Sequence, residues 1–101
     1  MPSLEQLQSL LAADPDDLFL RYGVAMELAK LDRSADAMQA FDELLQRDPK
    51  YVPAHFMRAR LIEQSGDRDA AIAAYDAGIR IAQSVGDTHA AGEMTAARDS
   101  L

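Results

Sequence analysis

The chain has 101 residues, 49% of them hydrophobic, and its 17 acidic against 10 basic side chains leave a formal charge of −7. That length suits one domain on the usual scale of roughly 100–200 residues. The absence of cysteine excludes disulfides, thiolate metal sites and cysteine nucleophiles.

An acidic surface repels nucleic acid and anionic lipid on average, so neither is an expected partner. No apolar run approaches the ~20 residues that span a bilayer, and Met1-Pro2-Ser3 does not open a signal peptide, so the cytoplasm is the expected compartment. Nineteen Ala, three Phe, three Tyr and no Trp favour closely packed helices, since Ala is the best helix former and adds little bulk. The skew to twelve Asp and eight Arg fits a salt-loving source or a GC-rich genome alike and points to no function.

In chain order, Ser3-Leu4-Glu5-Gln6 is a capping-box pattern that starts a helix over 4–13. Asp14-Pro15-Asp16-Asp17 separates it from a helix over 17–31, and Leu31-Asp32-Arg33-Ser34 interrupts the pattern before a helix over 34–47. Asp48-Pro49-Lys50-Tyr51 marks the next break. Proline there cannot continue the preceding helix and suits the opening of the next, which is expected over 51–64. Ser65-Gly66-Asp67 offers Gly66 for a left-handed position after that helix and Asp67 as a cap for one over 68–84. Gly86-Asp87-Thr88 repeats the device before a last helix over 88–99.

These breaks recur with a period of 34. Residues 18–51 laid over 52–85 match Ala25 with Ala59, Ala37 with Ala71, Ala40 with Ala74 and Asp42 with Asp76. Tyr22 falls on Phe56, Leu28 on Ile62, Met38 on Ile72, Phe41 on Tyr75 and Leu45 on Ile79, so small meets small and large meets large. Shifted back one unit, Leu7, Leu10, Leu11 and Pro15 fall on Phe41, Leu44, Leu45 and Pro49.

The arrangement resembles the tetratricopeptide repeat family. Ala25, Ala37, Phe41 and Pro49 in the first copy and Ala59, Ala71, Tyr75 and Gly78 in the second match the family's pattern of small, aromatic and closing residues. Arg21 and His55 stand where a large aromatic or apolar residue is common, Leu44 takes a usually small site, and Gln83 replaces the second closing proline. The resemblance implies an all-α antiparallel helix-turn-helix repeat solenoid of about six helices. It divides into a half-repeat over 3–17, repeats over 18–51 and 52–85, and a capping helix over 86–101, in which Ala90, Met94 and Ala97 cover the second repeat.

Nothing in the sequence assembles a catalytic centre. His55 and His89 lie 34 residues apart, form no HExxH pair, and at equivalent places in stacked repeats would stand ~8–10 Å apart, too far to share a metal. Both are expected to fill half-buried helix contacts. No nucleophile elbow or glycine-rich phosphate loop is present, and Asp14, Asp16 and Asp17 lack the glycine and terminal glutamate of a calcium loop. No enzyme activity, metal or cofactor is expected.

The resemblance points instead to protein–protein recognition, because first helices of such repeats line a concave groove that holds an extended peptide or a partner's helix. By position, that groove would take Phe19, Tyr22, Met26, Ala29 and Lys30 from the first copy. The second would supply Phe56, Met57, Arg60, Glu63 and Gln64, with Met94 and Arg98 as a third row. The spacing 19-22-26-29-30 follows one helical face, and Arg60 is the cation placed to meet a ligand carboxylate. Tyr22 and Phe56 could equally be core residues packed between helices. Some family members bind a chaperone's C-terminal carboxylate through Lys and Asn, but Tyr22, Gly23, Met26 and Met57 at the matching positions do not support that ligand. The partner is thus a protein or peptide of unknown identity, in an adaptor or assembly role. The alternative is a homodimer in which Leu4, Leu7 and Leu11 of the first helix form the seam.

Overall fold

Six α-helices and no strand make up residues 2–101, the part described by this computed structural model. They are α1 (Leu4–Ala13), α2 (Leu18–Lys30), α3 (Ser34–Arg47), α4 (Val52–Gln64), α5 (Arg68–Ser84) and α6 (Thr88–Asp99). The fold is all-α and built of helix-turn-helix repeats. Four helices have the expected bounds; α2 and α4 start one residue later because Asp17 and Tyr51 are caps rather than helical residues, and α2 ends one residue earlier because Leu31 is its C-cap.

Helix starts follow local chemistry. Ser3 and Gln6 form the expected capping box, each side chain bonding the other's backbone N–H. Asp17, Asp67 and Asp87 accept from the backbone N–H groups of Leu20, Ala70 and Ala90, satisfying donors that a helix start leaves free. Pro15 and Pro49 lie in the turns and open no helix; the proline within a first helical turn is Pro53 of α4.

Helix ends use the left-handed region. Gly66 and Gly86 adopt φ of 90° and 78°. Asp32, 34 residues before Gly66, adopts φ 59° although it carries a side chain. Around it Asp32 N–H bonds Ala29 O and Arg33 N–H bonds Leu28 O, the pattern that closes the last carbonyls of a helix.

The chain divides into two compact units, one ending at Asp48 and the other running from Pro49 to Leu101. In the first, α2 packs on both α1 and α3. Its buried residues are Val24, Ala25 and Leu28 of α2 with Ala37, Phe41 and Leu44 of α3. Tyr22 meets Phe41 edge-on, with ring centroids 6.3 Å apart. Leu44, at a usually small site, is fully buried. Helix α1 contributes no fully buried residue.

In the second unit α5 lies against α4 and α6. The core joins Val52 and Ala59 of α4, Ala74, Tyr75, Ile79 and Ala82 of α5, and Ala91 and Met94 of α6, flanked by Phe56, Ile62 and Leu101. Ala90 and Ala97 also pack on it, as expected of a capping helix. Phe56 meets Tyr75 edge-on at 6.2 Å, the second copy of the Tyr22–Phe41 pair. Among the described residues no buried side-chain nitrogen or oxygen lacks a hydrogen-bond partner, and no helix is long and apolar enough to cross a membrane.

Candidate functional site

Arg21 and His55, which stand where the repeat pattern has a large aromatic or apolar residue, do the same job in their own units. Arg21 Nε donates to Pro15 O at 2.8 Å, and His55 Nε2 lies 2.7 Å from Pro49 O. A carbonyl only accepts, so the His55 ring carries its proton on Nε2. Each side chain thereby ties a first helix to the carbonyl of the proline six residues before it. Arg21 also lies 3.6 Å from Glu43 of α3.

His89 is a correction. It is exposed, pairs with Glu93 one turn on, and fills no half-buried contact. The carbonyl six residues before it belongs to Gln83, which is still inside α5 and already accepts from Gly86 N–H at 3.2 Å. Without a proline to end α5 there, the turn that holds His55 has no counterpart.

The first-helix faces differ in what they leave open. On α2, Phe19 is 76% exposed and Lys30 is exposed, while Tyr22, Met26 and Ala29 are half-buried. On α4, Arg60, Glu63 and Gln64 are exposed, while Phe56 and Met57 are half-buried. Tyr22 and Phe56 each pack edge-on with a buried ring of the second helix while staying half-buried. Met94 does not form a third row: it is fully buried under α5. Arg98 is engaged by Asp76 at 2.8 Å and by Asp99 at 3.1 Å. Asp76 thus anchors α6 to α5.

Glu63 is held in place. Its Oε1 accepts from the Tyr75 hydroxyl at 2.6 Å, across from α5 to α4. Burial first, and then the bond to this carboxylate, push the Tyr75 hydroxyl above the ordinary tyrosine range, with Arg60 near enough to oppose the rise.

On α1, Leu4, Leu7 and Leu11 are half-buried. Leu7 is turned to Gly23 of the same chain's α2, where an added Cβ would lie 3.5 Å from one of its methyls. The leucine left open is Leu10, 51% exposed beside a shallow depression lined by Pro2, Glu5, Gln6 and Ser9.

The model of the tetratricopeptide repeat family matches residues 28–98. The chain belongs to this family. A TPR repeat-containing protein of Pseudomonas aeruginosa is 28% identical over 95 residues, covering 91% of this chain and 88% of that one. The tetratricopeptide repeat domain protein from Salinibacter ruber, solved by solution NMR, is 34% identical with a TM-score of 0.80. That match covers 86% of this chain and 88% of the other. PcrH, solved in complex with the chaperone binding region of PopD, is alike in fold alone. It has a TM-score of 0.86 at 19% identity, over 96% of this chain and 74% of that one.

Within this tetratricopeptide repeat chain, most cations are already committed. Arg33 bonds Asp36, Arg47 bonds Asp16, Arg68 donates to Leu101 O, and Arg98 holds two aspartates. Among the described residues, Lys30, Arg60 and Arg80 have no hydrogen-bond or ion-pair partner, and two of these stand on first-helix faces. No group of three metal-ligating side chains comes together among the described residues.

Proposed function

We propose that this chain is a non-catalytic protein-interaction module whose first helices receive an extended peptide or a partner's helix. The observation that carries the reading is what the first helix of each unit leaves open, an aromatic and a cation on α2 and a cation on α4. Phe19 is 76% exposed, Lys30 and Arg60 lack partners, and the protein around them is strongly acidic. A large exposed aromatic gains about 1.5–3 kcal/mol when covered, and an unpaired guanidinium favours a carboxylate in bidentate geometry. The partner segment is therefore apolar with at least one acidic group. PcrH, which shares the fold, is seen with a segment of a second protein, and such binding is what exposed first-helix faces suit.

The test uses a displayed library of short randomised peptides panned on the full chain and on Phe19→Ser and Arg60→Glu variants. Apolar, acid-containing peptides are expected to enrich on the native chain. Arg60→Glu should weaken them by roughly 10–100-fold, the worth of a charge-assisted hydrogen bond. Enrichment that survives both changes would refute the reading. Sedimentation equilibrium serves as the control for the self-associating alternative. In that alternative Leu4, Leu7 and Leu11 form the seam with the exposed Leu10 beside them, and Leu10→Asp should weaken the dimer.

A further inference from the structure

The two repeat units differ in one coupled pair. Where the second unit has Glu63 on its first helix and Tyr75 on its second, the first unit has Ala29 and Phe41. Phe41 and Tyr75 are both fully buried rings, and each meets the aromatic of its first helix edge-on at nearly the same separation. Packing in this repeat therefore requires the ring and not the hydroxyl. The hydroxyl appears only where a carboxylate is present to accept from it.

Glu63 also sits where a carboxylate is locally unwelcome. It lies in the last turn of α4, at the negative end of the helix dipole, and no basic residue occupies that turn. Arg60 stands one turn earlier, where i and i+3 side chains are neighbours. Both are exposed, and no ion pair joins them. The Tyr75 bond holds the carboxylate toward α5, and it is this bond rather than an ion pair with Arg60 that positions it.

We propose that Glu63, fixed by the Tyr75 hydroxyl, is a specificity-determining residue that with Arg60 sets the direction in which a peptide partner lies on α4. The partner places an acidic group over Arg60 and a basic group over Glu63. A peptide lying the other way meets two like charges, each disfavouring it. Tyr75 touches no partner itself and is a positioning residue. This rests on the first-helix reading proposed above.

The experiment pans the same displayed library on the full native chain, Glu63→Gln and Tyr75→Phe. Tyr75→Phe should fold, since Phe is what the first unit carries there. The native chain is expected to enrich peptides with an acidic and a basic residue in fixed order. Glu63→Gln should keep the acidic preference and lose the basic one. Tyr75→Phe should reduce the basic preference by about twofold to tenfold, the range for loss of one positioning hydrogen bond. A purely structural role would weaken all peptides alike and leave the charge order untouched. If the basic preference is as strong on Tyr75→Phe as on the native chain, this inference fails and the first-helix reading stands. If nothing enriches on the native chain, both fall.

Discussion

Gly78 lies so close to Met94 that a Cβ added to it would sit 2.6 Å from the Met94 sulfur, and His55 Cβ would be 3.2 Å away on the other side. Three helices thus meet at one bare Cα. Met94 is fully buried, so its side chain can yield only by displacing other core residues. Gly78→Ala gains about 1 kcal/mol in helix propensity against about 1–3 kcal/mol for overpacking, and is expected to lower stability by about 1 kcal/mol net. Gly23→Ala is the contrast: its Cβ would meet Leu7 at ordinary contact distance, so stability should rise by up to about 1 kcal/mol. Urea midpoints at unchanged slope decide both.

Asp32 and Gly66 occupy the same place in the repeat with φ of 59° and 90°. The left-handed region costs an L-residue about 1–2 kcal/mol, less for Asp, and glycine almost nothing. Asp32→Gly should therefore stabilise the first unit by about 0.5–1 kcal/mol, and Gly66→Ala should destabilise the second by about 1 kcal/mol or more. Equal thermal midpoints for native and Asp32→Gly chains would contradict this.

Phe19 and Phe41 separate surface from core. Phe41 is fully buried, and Phe41→Ala should cost about 3–5 kcal/mol of stability. Phe19→Ala, at 76% exposure, should stay within about 0.5 kcal/mol of the native chain while removing peptide binding. Chemical denaturation read beside a binding isotherm distinguishes the two effects.

Alkaline pH should destabilise the protein through Tyr75. Its hydroxyl is held above the ordinary value of 10.0 in the folded state, mainly by burial and then by Glu63. Above about pH 10 the unfolded chain releases this proton before the folded chain does, so stability falls as pH rises. Below that pH the contribution is fully present. Tyr75→Phe should show a shallower loss of urea midpoint between neutral and strongly alkaline pH than the native chain.

The sequence alone determined the helices, their order and their period, because caps, breakers and the spacing of small and large residues act within a few positions of one another. Ser3 with Gln6, Asp67 and Gly66 could each be read locally, and the 34-residue match of Phe41 with Tyr75 carried the packing pattern. Only the tertiary structure decided which members of a matched pair do the same work. Arg21 and His55 share a role because a proline carbonyl is free before each. His89 loses it because α5 runs on through Gln83 and uses that carbonyl itself. Met94 went to the core and Glu63 to a tyrosine on the neighbouring helix for the same reason: burial and long-range hydrogen bonds depend on which helix lies across from a residue, and a period in the sequence records only where the residue stands on its own.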